Sequence, residues 1–205
     1  MKRRTFSLFL IISCLAILLI LLEYAPHYLL YADAPVKSDA IVLFVGQDNR
    51  ARQEEANLLI TQGYARYFLI PAYGKIQDIL GHDPISPEIG IVSPDVLKTK
   101  SYFESTHVEV LEAKRMMERL GISSAILVSS PYHMRRIRII ADYVFTPGSF
   151  PPFVKEGQGG FKLYTVPTRH ETSGETFWLF NNHERKFVLT EYMKIGWFLL
   201  YSPFV

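Results

Sequence analysis

Residues 125–136 read Ala-Ile-Leu-Val-Ser-Ser-Pro-Tyr-His-Met-Arg-Arg, and this stretch decides the fold. Its first four residues form an apolar run that is too short and too β-branched for a helix, which predicts a buried strand. Ser130 is suited to cap a helix, and Pro131 is suited to the first helical position, where its missing N–H costs nothing. The stretch therefore predicts a strand followed by a helix whose first turns carry His133 and several arginines.

The start of this helix is a candidate anion site. The first N–H groups of a helix are unpaired and lie at the positive end of its dipole, so they favour a negatively charged ligand. His133 and Arg136 are three residues apart and share a helix face. The alternative is a surface helix with solvated arginines and a histidine that only packs, and the local sequence leaves both interpretations open.

Strands and helices alternate along the rest of the chain. The apolar run over residues 39–45 is typical of a parallel strand covered on both faces. The other predicted strands are residues 67–70, 101–103, 125–128 and 162–166, and the predicted helices are residues 52–62, 107–120, 131–143 and 184–201. Residues 75–98 are predicted as a loop with at most one short helix near residues 76–80. The alternation predicts an α/β fold with a parallel sheet and right-handed crossovers.

Four segments are expected to meet at one edge of this sheet. Gly46, Gly74, Glu104 and Ser129 each come just after a predicted strand. In open parallel sheets the ligand binds beyond the carboxyl ends of the strands. The sequence therefore predicts a ligand cleft at this edge.

Composition limits the classes of function. The chain has 205 residues, which is enough for one domain with a sizeable core. Its 22 Lys and Arg against 20 Asp and Glu give a net charge of +2, which argues against a nucleic-acid partner. The single cysteine, Cys14, excludes an internal disulfide and a cysteine zinc site. A metal held by Asp48, Glu104, His107 and His133 would have to be assembled across loops, so we predict no metal site.

The amino terminus has the pattern of a membrane anchor. Residues 6–22 are apolar except for two serines and Cys14, and they would span about 25 Å as a helix. This predicts a transmembrane helix with the lipid bilayer as its partner. A cleaved signal peptide is the alternative, with residues 32–34 as the cleavage site, but Pro35 follows that site directly and disfavours it.

The charges beside the apolar run predict its orientation. Residues 2–4 are basic, and no lysine or arginine follows until Lys37. The positive-inside rule then places the soluble part on the non-cytoplasmic side of the inner (cytoplasmic) membrane. We predict a signal anchor in residues 1–22, a juxtamembrane linker in residues 23–38 and an α/β domain in residues 39–205.

Several of these elements resemble the YdcF-like family, which includes the SanA and ElyC type envelope proteins. They are Asp39-Ala-Ile-Val-Leu, Arg52-x3-Ala-x2-Leu-x3-Gly, Glu104-Ser-Thr and the Ser-x-x-Tyr-His-Met-x-Arg element that starts at Ser129. The resemblance covers about residues 39–166, and its last element is the most specific. It implies a Rossmann-like three-layer sandwich with a mainly parallel sheet, frequent membrane anchoring, and roles in envelope biogenesis and barrier function.

The chain has fewer glycines after its first two strands than the family pattern. This leaves less room for a phosphate to approach the backbone, so either the ligand differs or catalysis is weakened. For an enzyme, Glu104 would orient His133 and raise its basicity. The predicted ligand-binding residues are Gly46, Arg52, Gly74, Thr106, Ser129, Ser130 and Arg136. Here Arg136 would clamp an anion, although capping alone could account for Thr106 and Ser130.

Two classes of function remain open. The first is a hydrolase or transferase acting on a phosphorylated or nucleotide-like envelope precursor. The second is a non-catalytic envelope factor that binds a small anion or a protein partner. The pair Glu104 and His133 favours the enzyme, and the missing glycines favour the factor; no cofactor or protein partner is indicated.

Overall fold

The structure is a computed structural model that describes residues 2–46, 49–80, 105–146, 160–171 and 178–204. The helices are α1 (Lys2–Leu29), α2 (Asn49–Thr61), α3 (Ser105–Leu120), α4 (Met134–Phe145) and α5 (Asn182–Tyr201). The strands are β1 (Ala40–Leu43), β2 (Tyr67–Ile70), β3 (Lys75–Asp78), β4 (Ser124–Ser129) and β5 (Lys162–Pro167). Short 3-10 turns cover Pro71–Tyr73, Pro131–His133 and Ser202–Phe204.

The sheet is mixed and mostly parallel, with the strand order β3-β2-β1-β4-β5. Strands β2, β1, β4 and β5 are parallel to one another, and only β3 is antiparallel, where it pairs with β2. The α/β class is therefore confirmed. Because β1 lies between β2 and β4, the chain reverses its direction of travel across the sheet at β1, which is where ligands bind in such sheets.

The edge strand β3 corrects the sequence prediction. Residues 75–98 were predicted as a loop with at most one short helix, yet Lys75–Asp78 pairs with all four residues of β2. Gly74 permits this reversal because its φ of +61° lies in the left-handed region. The strand predicted over residues 101–103 lies outside the described residues.

Helices cover both faces of the sheet. The odd-numbered residues of β1, Ile41 and Leu43, pack with Ala56, Leu59 and Ile60 of α2. The alternate residues of β1 and β4 pack in the main core, and α3, α4 and α5 cover that face. Helix α2 therefore covers one face of the sheet, and α3, α4 and α5 cover the other. The edge formed by the carboxyl ends of the strands lies between α2 and α3.

Helix α1 continues past the predicted end of the membrane anchor. Its residues Phe9–Leu29 are long and apolar enough to cross a membrane, on length and composition alone. Residues 23–29, predicted as the start of a linker, are helical and pack on the domain, with Leu29 fully buried. Trp178 donates its indole N–H to the carbonyl of Leu22 at 2.8 Å, and α1 is therefore fixed to the α/β domain.

Candidate functional site

A buried arginine joins the carboxyl ends of β1 and β4. Arg52 comes from the first turns of α2, and only 1% of the residue is exposed. Its Nε donates to Ser130 Oγ at 2.8 Å and its Nη1 to the Phe44 carbonyl at 3.0 Å. Its Nη2 lies 3.4 Å from His133 Nδ1. These contacts place the guanidinium at the predicted cleft edge and fix its orientation.

The two predicted glycines have different places in the structure. A Cβ atom at Gly46 would lie 2.3 Å from Arg52 Nη1, so this position needs glycine because the guanidinium fills the adjacent space. Gly74 ends the Pro71–Tyr73 turn, and its N–H donates to the Pro71 carbonyl. Gly46 therefore belongs to the arginine cluster, whereas Gly74 serves the turn into β3.

Ser130 does not cap the following helix, which corrects the sequence prediction. It precedes the Pro131–His133 turn in an extended conformation, but its side chain makes no capping hydrogen bond. Its Oγ accepts from Arg52 and donates to Glu171 Oε1 at 2.7 Å. Hydrogen bonds to these charged side chains are stronger than a hydrogen bond to a backbone N–H, so they determine where the hydroxyl points.

Ser129, the last residue of β4, carries an unsatisfied hydroxyl. The residue is fully buried, and its Oγ has no hydrogen-bond partner in the part of the chain that the structure describes. Side chains alternate along a strand, so Ser129 faces the same side as Leu127, which belongs to the core under α3 and α4.

Arg136 forms a buried ion pair that the sequence did not indicate. Its Nε lies 2.6 Å from Glu191 Oε2 of α5, and its Nη2 lies 3.3 Å from Oε1. Its Nη1 donates to Thr106 Oγ1, which lies inside the first turn of α3 rather than at a cap. Lys194 also contacts Glu191 Oε1, at 2.9 Å. Burial alone would raise the pKa of Glu191, but Arg136, His133 and Lys194 together lower it to about 2.

His133 lies between Arg52 and Glu191. Its Nε2 is 3.8 Å from Glu191 Oε1, on the side opposite to Arg52. Burial lowers the pKa of His133 to about 3, so the imidazole is neutral at pH 7. Because Arg52 can only donate, Nδ1 is assigned as the acceptor and Nε2 as the protonated nitrogen. The lone pair is thus engaged by a cation, which opposes the general-base role predicted for His133, while its predicted partner Glu104 lies outside the described residues.

Glu109 is the site residue that sequence analysis missed. It lies on α3, and its carboxyl group accepts a hydrogen bond from the Val45 N–H just after β1. Although the residue as a whole is partly exposed, its Oε2 is buried and has no partner among the described residues. Burial raises the pKa of Glu109 to about 7, against the lowering effect of Arg52 and Arg136. The available signal is the Thr-x-x-Glu spacing from Thr106, which is also typical of a capping box at the start of a helix.

The charges of the cluster favour an anion when Glu109 is protonated. Besides Glu109, the described cluster holds three basic and two acidic side chains: Arg52, Arg136, Lys194, Glu171 and Glu191. This leaves one excess positive charge, which ionisation of Glu109 would cancel. A buried carboxyl with a pKa near 7 is also suited to proton transfer at neutral pH.

The described residues offer no metal centre. No group of three or more His, Cys, Asp or Glu side chains within them is placed to hold a metal ion. Of the residues considered from the sequence, His107 bonds the Tyr201 hydroxyl at 3.1 Å and packs against Phe198. Asp48 and Glu104 lie outside the described residues.

Comparison with known proteins finds no relative of this chain. No family model, curated protein or solved structure matches the chain. The YdcF-like resemblance therefore stays a prediction.

Proposed function

We propose that this chain is a membrane-anchored envelope protein of the YdcF-like type, with a Rossmann-like domain. Its cleft binds a small anionic ligand, phosphorylated or nucleotide-like, and acts on it as a hydrolase or transferase. One observation carries the proposal: Oε2 of Glu109 is buried without a partner among the described residues, and the carboxyl interacts with two guanidinium groups at the carboxyl edge of the sheet.

The unsatisfied atoms at this edge support a polar ligand. Glu109 Oε2 and Ser129 Oγ are both buried without a partner in the described part of the chain. Each such atom costs about 1–3 kcal/mol unless a ligand or water bonds it. Because side chains alternate along a strand, Ser129 faces the side of the sheet that α3 covers, and α3 is the helix that carries Glu109. A protonated carboxyl and a serine hydroxyl both donate to phosphate oxygens, and the excess positive charge favours such a ligand.

Glu109 is the group that we assign to proton transfer. Cleavage of a phosphate ester or a glycosidic bond requires a proton for the leaving oxygen, and a carboxyl with a pKa near 7 supplies it well at neutral pH. Arg52 and Ser130 would position the ligand, since their mutual hydrogen bond fixes both side chains. His133 then orients Arg52 instead of acting as the base.

The membrane anchor determines where this chemistry would take place. Helix α1 crosses the inner membrane in our proposal, and the basic residues 2–4 stay in the cytoplasm. The α/β domain then lies on the non-cytoplasmic side, where envelope precursors are assembled. A role in envelope biogenesis and barrier function follows from this location together with the resemblance.

A non-catalytic anion-binding factor is the second candidate. Two contacts favour it: the lone pair of His133 is engaged by Arg52, and Arg52 fills the space beside Gly46. Such a protein would use the same cleft but would not need a proton donor at Glu109.

Replacing Glu109 by glutamine separates the two candidates. In a strain that lacks the chromosomal copy, we expect Glu109→Gln to fail to restore growth on a detergent that an intact envelope excludes, at normal protein abundance in the membrane. The amide keeps the shape but cannot transfer a proton. Glu112→Gln, a change at a partly exposed position on the same helix, is the control and should restore growth.

Arg52→Met completes this experiment. If Glu109→Gln restores growth and Arg52→Met does not, the protein is a binding factor and the enzyme proposal is wrong. If both variants restore growth at normal abundance, the cleft has no role in envelope function and the whole proposal is wrong.

A further inference from the structure

Helix α5 buries three charged residues beside its buried apolar ones, and it exposes a row of apolar side chains. Glu184, Glu191 and Lys194 are buried. Exposed apolar side chains recur every three or four residues along α5 and the turn after it, in one stripe: Leu189, Met193, Trp197, Leu200 and Phe204. This is the reverse of a helix on the surface of a soluble domain. A contiguous apolar surface of this kind marks a partner or a membrane.

The length of the exposed apolar part of α1 indicates at which residue of this helix the hydrocarbon core of the bilayer would end. The described side chains over residues 6–21 are almost all exposed, and Leu22 is the first apolar residue packed against the domain core. These sixteen residues span about 24 Å, whereas the hydrocarbon core is about 30 Å thick. Covering the missing distance takes about four more residues of helix. The bilayer surface then reaches the level of Ala25.

At that level α1 touches α5. Trp178, just before α5, bonds the Leu22 carbonyl at 2.8 Å, and the Tyr192 hydroxyl bonds the Ala25 carbonyl at 2.8 Å. The rings of Tyr28 and Tyr192 are stacked, with centroids 6.2 Å apart. The start and the middle of α5 therefore lie at the depth where the span leaves the hydrocarbon.

The apolar stripe lies next to this contact. Leu189 is three residues before Tyr192, and Met193 is four residues after Leu189, so the stripe runs along α5 beside the residue that contacts α1. The exposed Phe180 precedes the helix, and the exposed Arg185 and Lys186 lie in its first turns. Cations beside apolar and aromatic side chains are typical of helices that lie on anionic membranes.

We propose that α5 lies on the bilayer surface, with the stripe from Leu189 to Phe204 buried among lipid headgroups and acyl chains. The occupant of this surface is lipid, in continuity with α1. The inference rests on the membrane anchoring proposed above, but not on the chemistry of the cleft. It accounts for the exposure of apolar side chains along the outer face of α5.

Tryptophan fluorescence tests this proposal, because the chain has only two tryptophans, Trp178 and Trp197. The full chain is reconstituted in vesicles of phosphatidylcholine and phosphatidylglycerol, with or without brominated acyl chains. The difference between the native chain and Trp197→Phe isolates the signal of the exposed Trp197. We expect brominated lipid to reduce this signal roughly two-fold and aqueous iodide to leave it nearly unchanged. The double variant Met193→Glu and Leu200→Glu should lose the quenching by lipid.

Flotation of the vesicles is measured on the same samples and reports the anchor separately. If the protein floats but Trp197 is quenched by iodide and not by brominated lipid, the proposal that α5 lies on the bilayer is wrong, and the membrane anchor in α1 is still supported. If neither quencher reaches Trp197, a second copy of the chain covers the stripe, and the lipid proposal is again wrong. If the protein does not float, the anchor and this proposal fail together.

Discussion

Replacing Arg136 by methionine should lower the free energy of unfolding by about 3–5 kcal/mol, because it leaves a buried carboxylate without its main partner. Only 5% of Arg136 and 1% of Glu191 are exposed, and the pair is bidentate. Lys194 would remain, but as a single contact. Urea unfolding of the full chain in detergent micelles, followed by circular dichroism, measures the change.

A second ion pair in the same protein provides the matched control. Arg115 and Glu112 lie 3.5 Å apart on the exposed side of α3, where solvent screens the charges. Arg115→Met should therefore change stability by no more than about 0.5 kcal/mol. The double change Arg136→Met with Glu191→Met should recover part of the loss, because it removes the stranded charge. Equal effects of Arg136→Met and Arg115→Met would show that the buried pair does not exist.

Glu109 should make the stability of the native chain fall as the pH rises. Its pKa is raised from 4.5 to about 7 on folding, so the folded state holds a proton that the unfolded state releases. The associated stability is fully present below pH 4.5 and is lost as the pH passes through 7. Between these limits the loss amounts to about 3 kcal/mol.

Glu109→Gln has no such proton, so it should gain about 3 kcal/mol relative to the native chain between pH 4.5 and pH 8. Unfolding curves of both proteins at several pH values in this range measure the difference, and the titrations of all other groups cancel. A flat difference for Glu109→Gln would contradict the burial of its carboxyl group.

The α/β class of the fold could be predicted because most of its strands are apolar runs that can be recognised in the local sequence. Residues 125–128 form a continuous apolar run, and the structure buries them all within β4. Strand β3 could not be predicted in this way, since Lys75-Ile-Gln-Asp is mostly polar. It becomes a strand only because Gly74 turns the chain back onto β2, which is a tertiary effect.

Only the basic and hydroxyl residues of the site could be predicted from the sequence, and its acidic residues could not. Arg52 and Ser130 were both predicted as ligand-binding residues, and the structure joins them by a hydrogen bond at the carboxyl edge of the sheet. The acidic partners of Ser130 and Arg136 come from distant segments, because Glu171 and Glu191 lie 41 and 55 positions later in the chain. Nothing local marks Glu191 as a site residue. The available signal was a set of charges inside an otherwise apolar helix, which a search for an apolar face overlooks.

Competition between partners explains why the capping predictions failed. Ser130 has the right residue type and precedes a proline, so local propensity favours a cap. In the folded chain its hydroxyl meets Arg52 and Glu171, and hydrogen bonds to charged groups are stronger than those to a backbone N–H. Local rules therefore identified an important position but assigned it the wrong partner.

The most direct test of the account is a calorimetric titration of the solubilised full chain with inorganic pyrophosphate at pH 7, in two buffers of different ionisation enthalpy. The central claim is that an anion binds beside Glu109 and raises its pKa further. The native chain should therefore take up about half a proton more on binding than Glu109→Gln does, because Glu109 is about half ionised at this pH. Protons exchanged by pyrophosphate itself are common to both proteins and cancel in this difference. Absence of binding to the native chain, or binding with the same proton uptake in both proteins, would contradict the account.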